Sequence, residues 1–378
     1  MIRRAPGERA ASAARWSPGR LLVASALLAA ACARPGSERS GAPAGSIAAL
    51  AEAEVAPAIG PPPARPPGSA PARSAPRASA LDEEQLARAL KRAPLRALRP
   101  AGKRGEGRFE ATLALGAADS GAPAHEIEVR LAPALKKDPL GFRRPVAFYR
   151  LARALDAHVA PAAASRRIGI GELAALLGRE PGGRRLLRRF AVMNDGTVDA
   201  LVQSPAPGPP GPRWAAARLR SIRFDDAPEL DVWARWARSR SPARGERASI
   251  LRGYLEMLAL DYLAGNGLRK EIVIDVSAGA LVLEANASAF PPHVKARELD
   301  RQLERLVEAA RFPRALHDAL LRFGPEQAAA ALRPGGGGIE DELVPPRALV
   351  ELEERRQALL SLIAAKIAAR GEAAVLAL

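Results

Sequence analysis

Residues 255–275 read LEMLALDYLAGNGLRKEIVID, and the order of elements inside this stretch decides the fold. Leu255 to Ala264 is apolar except for Glu256 and Asp261, as expected of a helix buried on most of its faces. Gly265 is the residue that ends such a helix in the left-handed region, and Asn266 tolerates that region as well. EIVID then reads as a strand. The stretch has two meanings. It is a helix with a glycine cap feeding a strand, or it is a loop that presents Asp261, Asn266 and Arg269 to a site.

The flanks bear on that choice. Downstream, ALVLEA (280–285) is a second strand whose period of two turns Glu284 opposite to Leu283. From about residue 246 the chain reads as mostly helical around these two strands. A loop, RPGGGGIEDELVPP (333–346), leads to a long charged amphipathic helix over 347–369. Upstream, LDEEQLARALKR (81–92) has helical spacing and acids in its first turn, and Pro94 ends or kinks it. RFEATLALG (108–116) and HEIEVRLAP (125–133) alternate as strands do. VAFYRLARALDAHVAP (146–161) and GIGELAALLG (169–178) read as helices, and RFAVMNDGTVDALVQSP (189–205) as a hairpin turning at Asn194-Asp195-Gly196. APGPPGP (206–212) is a break. Strands and a helix, then a proline break, then helices around two short strands make an α+β fold of two lobes. The first, 80–205, is a small mixed β lobe; the second, 206–378, is larger and mostly helical.

The N-terminus has a different character. MIRRAPGERAASAARWSPGR carries five arginines against Glu8, and LLVASALLAAACA is apolar but too short to span a bilayer. A basic segment, a short apolar run and small residues describe a secretory signal over 1–31. LLAAAC resembles the lipobox of bacterial lipoproteins, in which the cysteine is acylated. Here that is Cys32, the single Cys of the chain, with Ala29 where leucine is usual. The resemblance implies a protein anchored in the bacterial cell envelope through Cys32, on the extracytoplasmic side of either membrane. The alternative is an ordinary cleaved signal beside an incidental cysteine. With one Cys no internal disulfide forms, so the core alone must hold the fold. Residues 32–79, rich in Pro, Ala, Gly and Ser, read as a disordered tether reaching up to ~140 Å if extended at roughly 3 Å per residue. Their PPPARPP run reads as spacer rather than as ligand for a proline-binding domain.

The formal charge is +16, and removing 1–31 takes away five Arg and one Glu to leave +12. The arginines are scattered and no aromatic platform sits among them, so no nucleic-acid partner is expected. His125, His158, His293 and His317 lack ligand spacing, and no nucleophile elbow is present. GKRGEG (102–107) lacks the spacing of a phosphate loop and reads as a connector.

The element order, with the residues in it, resembles the atypical kinases related to HipA, to the phosphatidylinositol kinases and to the Golgi secretory kinases, over about residues 100–370. FRRPVAFYRLARAL looks like the helix that follows the lysine strand, with Tyr149 and Arg150 matching. DYLAGNGLRKEIV stands where that group has DYLxGNxDRHxxN, and LVLEANASAFP where it has its metal-binding Asp. ARFPRALHDALLRFGPEQAAAAL resembles its closing helices.

The resemblance implies ATP and Mg²⁺ as cofactors and assigns each chemical role to a position. Phosphoryl transfer needs a lysine on the phosphates with a helix glutamate beside it, metal-binding side chains, and a base near the acceptor. Arg130 stands at the lysine, Pro145 at the helix glutamate, Leu268 at the catalytic aspartate, Val273 at the second metal ligand and Glu284 at the main one. Arg269 is kept, and Lys270 replaces a histidine. Pro145, Leu268 and Val273 cannot perform the roles of the groups they replace, and an arginine fork does not substitute for a compact ammonium. Tyr149, Asp261, Asn266 and the AFP ending at Pro291 persist.

This pattern implies a pseudokinase that acts by binding or scaffolding a protein partner. No cofactor follows from the residues with certainty, and no metal ligand or catalytic residue is assigned. The candidate cleft is Arg130, Arg269, Asp275 and Glu284. Two alternatives stand beside it. One is an active atypical kinase using Asp275 and Glu284 as relocated acids with Arg130. The other is a structural lipoprotein of unrelated helical fold. Trp214, Trp233 and Trp236 read as packing.

Overall fold

The computed structural model describes residues 83–101, 107–115, 125–178, 180–205, 219–223, 228–267, 269–276, 278–284, 286–335 and 338–378, all within the unit Pro76–Leu378. The signal segment, Cys32, the proline-rich tether, residues 102–106 and 206–212, Trp214 and Leu268 lie outside the described residues.

Helix α1 (Glu83–Arg92) leads into five strands, β1 (Leu95–Ala101), β2 (Arg108–Leu115), β3 (His125–Pro133), β4 (Ala163–Gly169) and β5 (Thr197–Gln203). They form one sheet in the order β1-β2-β3-β5-β4, antiparallel throughout. The sequence reading found β2 and β3 but missed both edges. LRALRPA carries a proline and a register shift between Leu95 and Ala97, which only an edge strand tolerates. AASRRIG puts two arginines in the middle of a strand that pairs on one side only. The hairpin is also smaller than its alternation suggests. The NDG turn closes through Met193 N–H to Thr197 O at 2.7 Å, with Gly196 at φ 74°. Its first arm, however, reduces to the bridges Leu135↔Phe190 and Val192↔Val198, because β5 pairs with β3 and β4 instead.

Helix α2 (Arg143–Ala154) packs against β4 and β5. It starts earlier and stops earlier than its apolar pattern implies, and Asp156, at φ 55°, turns the chain towards β4. Helices α3 (Ile170–Leu177) and α4 (Gly183–Leu187) complete this lobe.

The second lobe begins with β6 (Leu219–Arg223), a strand too short and too charged to stand out in sequence. Helix α5 (Pro228–Arg238) buries Trp233 edge-on to Tyr254 at 5.9 Å, and Trp236 lies under the Arg247 guanidinium at 4.8 Å. The tryptophans in view therefore pack. Helix α6 (Gly245–Ala264) is buried on every side from Gly253 to Ala264. Strands β7 (Glu271–Asp275) and β8 (Ala280–Val282) join β6 in a second sheet ordered β6-β7-β8. Gly253 lets α6 approach β8, since a Cβ there would stand 3.2 Å from Leu281 Cγ. Helices α7 (Ala296–Glu308) and α10 (Pro346–Arg370) pack against α6, and α8 (Arg314–Arg322), α9 (Pro325–Leu332) and α11 (Glu372–Val375) pack on α10, with α9 reaching across to α2. Among the described residues no helix is long and apolar enough to cross a membrane.

The glycine-rich stretch before α10 is not loose at its end. Glu340 is 7% exposed. Its Oε2 accepts from Lys91 Nζ at 2.6 Å and from Arg150, and its Oε1 accepts from the Ser165 N–H at 2.6 Å. Arg150 also donates to Ala331 O at 3.2 Å. One carboxylate thus ties α1, α2 and β4 to the C-terminal helices. Glu340→Ala leaves two cations and a buried N–H short of an acceptor, and is expected to cost about 1.5–3 kcal/mol in chemical unfolding.

Candidate functional site

The decisive stretch folds around a buried polar knot. Asp261, on the last turn of α6, is 3% exposed and Arg269 is 5% exposed. Arg269 Nε donates to Asp261 Oδ2 at 2.6 Å and its Nη2 to Oδ1 at 2.7 Å, a two-point pairing. Asn266 Nδ2 donates to the same Oδ1 at 2.8 Å. Arg269 Nη2 also donates to Asn286 Oδ1 at 2.8 Å, and Asn286 Nδ2 to Leu283 O at 2.6 Å. The guanidinium lies over the Phe148 ring of α2 at 5.5 Å. Gln302 on α7 donates to Asn266 O at 2.9 Å. One ion pair therefore fixes the end of α6, the loop before β7, the segment after β8 and the helix of the first lobe.

Backbone geometry explains the residues around it. Gly265 is left-handed at φ 62°, and a Cβ there would come 2.8 Å from Val294 Cγ2. At Gly267 a Cβ would stand 2.6 Å from the Glu298 side chain. Phe290, at φ 48°, donates its N–H to Ala264 O at 2.8 Å and so caps α6. Arg355 of α10 donates to Leu263 O at 2.9 Å, placing a cation at the negative end of that helix. The first meaning of the stretch is the one realised, since Asp261, Asn266 and Arg269 are turned inward on one another. Gly265 caps the helix, and the residues after it form a structured loop.

Across from this knot, Arg130 of β3 is ion-paired with Glu284, just past β8. The pair joins the two sheets' elements over 154 residues of sequence. Burial pushes the Glu284 carboxyl above the ordinary carboxylate range, with the Arg130 and Arg108 charges opposing that rise. In register, Arg130 faces Gln203 on β5. Facing residues of paired strands project to the same side of the sheet. Gln203 is 5% exposed and its Nε2 has no partner, and Glu284 Oε1 has none either. Buried polar groups seldom stay unmatched, so this place suits a polar ligand or water. At the start of α2, Arg144 reaches Ala287 O at 3.2 Å. Pro145 sits buried in the first turn, where proline is tolerated.

The remaining sequence candidates go elsewhere. Asp275 stands at the turn of the β7–β8 hairpin, opposite Ala280, and accepts from Ala278 N–H at 3.3 Å. It lies at the other end of the hairpin from Glu284, which follows Val282, the partner of Val273. Arg269 belongs to the knot. Val273 is buried between Ser221 and Val282. Among Arg130, Arg269, Asp275 and Glu284, the structure brings only Arg130 and Glu284 into contact. Leu268 is outside the described residues.

Sequence reasoning missed Asn286, Phe148, Gln203 and Glu340. Asn286 had a signal. It lies two residues past Glu284 in LVLEANASAFP, the stretch set against the metal-binding Asp of the resemblance, and its side-chain oxygen accepts from Arg269. Nothing local marks the other three, whose partners lie far off in sequence.

A metal ion is poorly provided for. Among the described residues no group of three His, Cys, Asp or Glu side chains comes together. Mg²⁺ takes one or two carboxylates beside phosphate oxygens and water. Here Glu284 is already engaged by a guanidinium, and Val273 offers no oxygen. The residues present do not fit the metal that the resemblance implies.

Another acid stands apart. Glu256 on α6 is 8% exposed, and burial raises its carboxyl from 4.5 to about 7, with Asp156 adding and Arg252 opposing. The folded chain binds this proton more tightly than the unfolded one. Stability is therefore fullest below pH 4.5 for this group and falls as pH rises towards about 7. Glu256→Gln is expected to gain about 3 kcal/mol at pH 8 and to flatten that slope, as read by urea unfolding at several pH values.

No protein-family model and no curated protein matches the chain. Solved structures do. The crystal structure of the Golgi casein kinase with Mn/ADP bound is similar at 15% identity and a TM-score of 0.53, over 78% of this chain and 78% of that chain. A second crystal structure of the Golgi casein kinase is similar at 14% identity and a TM-score of 0.52, over 77% of each chain. The structure of hydra Fam20 with sugar is similar at 13% identity and a TM-score of 0.51, over 77% of this chain and 90% of that one. At these identities the shared property is the fold, and the described residues of this chain have the two-lobed, atypical kinase-like fold of the Golgi casein kinase structures.

Proposed function

We propose that this chain is a lipid-anchored protein of the bacterial cell envelope. Its kinase-like domain holds a nucleotide or similar polyphosphate without transferring phosphate, and acts by binding or scaffolding. The observation that carries the reading is the Arg130–Glu284 ion pair beside the unmatched Gln203 amide. Where a metal-dependent enzyme needs a free carboxylate for its cation, this cleft has an internal cation. The neighbour with Mn/ADP bound supports the choice of nucleotide. The space outside the cytoplasm lacks a general supply of ATP, which favours binding over turnover.

A thermal-shift titration of the detergent-solubilised full chain with ADP and ATP tests it. Ligand that binds only the folded state raises the midpoint by mass action. The expected shift is equal in Mg²⁺ and in EDTA. A shift seen only with the metal would contradict the reading. The rival, an active kinase with relocated acids, keeps Glu284 as a cleft carboxylate but has Asp275 at the far turn of its hairpin.

A further inference from the structure

The first lobe carries a surface whose chemistry the cleft does not use. The turn 134–144, ALKKDPLGFRR, and the segment 180–193, EPGGRRLLRRFAVM, lie side by side. Lys136 N–H donates to Arg189 O at 2.9 Å and Ala191 N–H to Ala134 O at 2.8 Å, with Leu135 bridged to Phe190. Pairing these two segments gathers eight cations against two acids, Asp138 and Glu180. Six of the cations, Lys136, Lys137, Arg184, Arg185, Arg188 and Arg189, have no carboxylate partner among the described residues.

An arginine-rich chain places guanidiniums everywhere, so abundance alone says little. Density separates this surface: two short segments joined through their backbones carry eight cations against two acids, and of the eight Arg144 meets a carboxylate, Asp138 at 3.8 Å.

The same surface is also where apolar side chains are out of place. Leu140 is 54% exposed, Val192 45% and Met193 47%. They are three of the seven large apolar side chains that stand exposed among the described residues, and all three belong to these two segments. Cations alone fit any polyanion. Cations with protruding Leu, Val and Met side chains fit a surface that is anionic outside and hydrocarbon within, because each apolar group gains by leaving water while the charges hold the phosphates.

We propose that this face docks on an anionic lipid bilayer. It would lay the first lobe on the membrane, with Lys136, Lys137 and the α4 arginines on lipid phosphates and Leu140, Val192 and Met193 at the acyl boundary. The inference takes from the lipid-anchored reading only the nearness of a bilayer. Docking through this face would hold the first lobe against the bilayer whatever the length of chain between it and the anchor.

The test uses the full chain with Cys32→Ser and Met193→Cys, labelled at the new thiol with a fluorophore and mixed with vesicles. Vesicles are phosphatidylcholine alone or with about 30% phosphatidylglycerol, both carrying brominated lipid as quencher. Quenching is expected in the anionic vesicles, absent in the neutral ones, and lost at roughly 0.5 M salt, where screening is complete within a few ångströms. The exposed changes Lys136→Glu, Lys137→Glu, Arg185→Glu and Arg188→Glu are expected to lower the docked-to-free ratio about 100-fold or more. A label at Val350, exposed on α10, stays unquenched. No quenching at 193, or equal quenching at 193 and 350, overturns the proposal. So does a label that responds to added RNA or polyglutamate but not to anionic vesicles. The mass of the mature N-terminus in cells tests the anchor separately, so failure of one reading leaves the other standing.

Discussion

Asp261→Asn is expected to destabilise the domain by about 3–5 kcal/mol, read as a fall in the urea midpoint without a change in slope. The reason is asymmetric. Asparagine still fits the space and can still meet Asn266, but it leaves the Arg269 guanidinium buried with no anion. Removing one partner of a buried pair costs far more than replacing both. Asp261→Leu with Arg269→Leu is therefore expected to cost less than the sum of the two single changes, and the double-mutant cycle gives the coupling. Against a typical total of about 5–15 kcal/mol, the single change removes a large share of the fold's stability. It does so without touching the Arg130–Glu284 cleft, so the role of Asp261, Asn266 and Arg269 in the fold is separable from any role of that cleft. Asp261, Asn266 and Arg269 hold the loop in place whether or not the loop does chemistry.

The second large effect lies in the cleft, and its sign tells the proposed metal-free binding from a metal-dependent mode. Arg130→Ala is expected to weaken nucleotide binding about 10-fold, the scale of one charge-assisted contact from a guanidinium that is half exposed. Glu284→Gln is expected to do the opposite. With the carboxylate gone, Arg130 no longer has to leave an anion to meet a phosphate, and affinity is expected to rise about 10-fold. In an enzyme that binds its nucleotide through a metal, the same substitution would remove the metal's ligand and weaken binding. Isothermal titration of wild type, Arg130→Ala and Glu284→Gln with ADP, in Mg²⁺ and in EDTA, reads both signs.

Much of this architecture was legible in sequence because it is written in local pattern. The alternation of RFEATLAL and HEIEVRLAP located β2 and β3, and the charged amphipathic repeat after Pro346 located α10. The Gly265 cap and the strand behind it were legible from LAGNGLRKEIVID alone. What escaped was set by partners distant in sequence. β1 and β4 are edge strands, and edges tolerate the proline and arginines that hide them. Glu340 sits in what reads as a slack glycine run, and only the fold brings Lys91, Arg150 and Ser165 to it. The site divides the same way. Arg130 and Glu284 could be assigned from a resemblance and do meet. Asp275, an acid at a strand end, serves a turn, because nothing in its own neighbourhood distinguishes a turn residue from a ligand.

The central claim is that a kinase-shaped domain here keeps its scaffold without the chemistry of transfer. The most direct measurement follows label from γ-³²P-ATP into casein, into the chain itself and into inorganic phosphate, with Mg²⁺ or Mn²⁺ present, for wild type and Glu284→Gln. The account predicts no transfer above the no-protein control for either form. Transfer by the wild type that Glu284→Gln abolishes would contradict it.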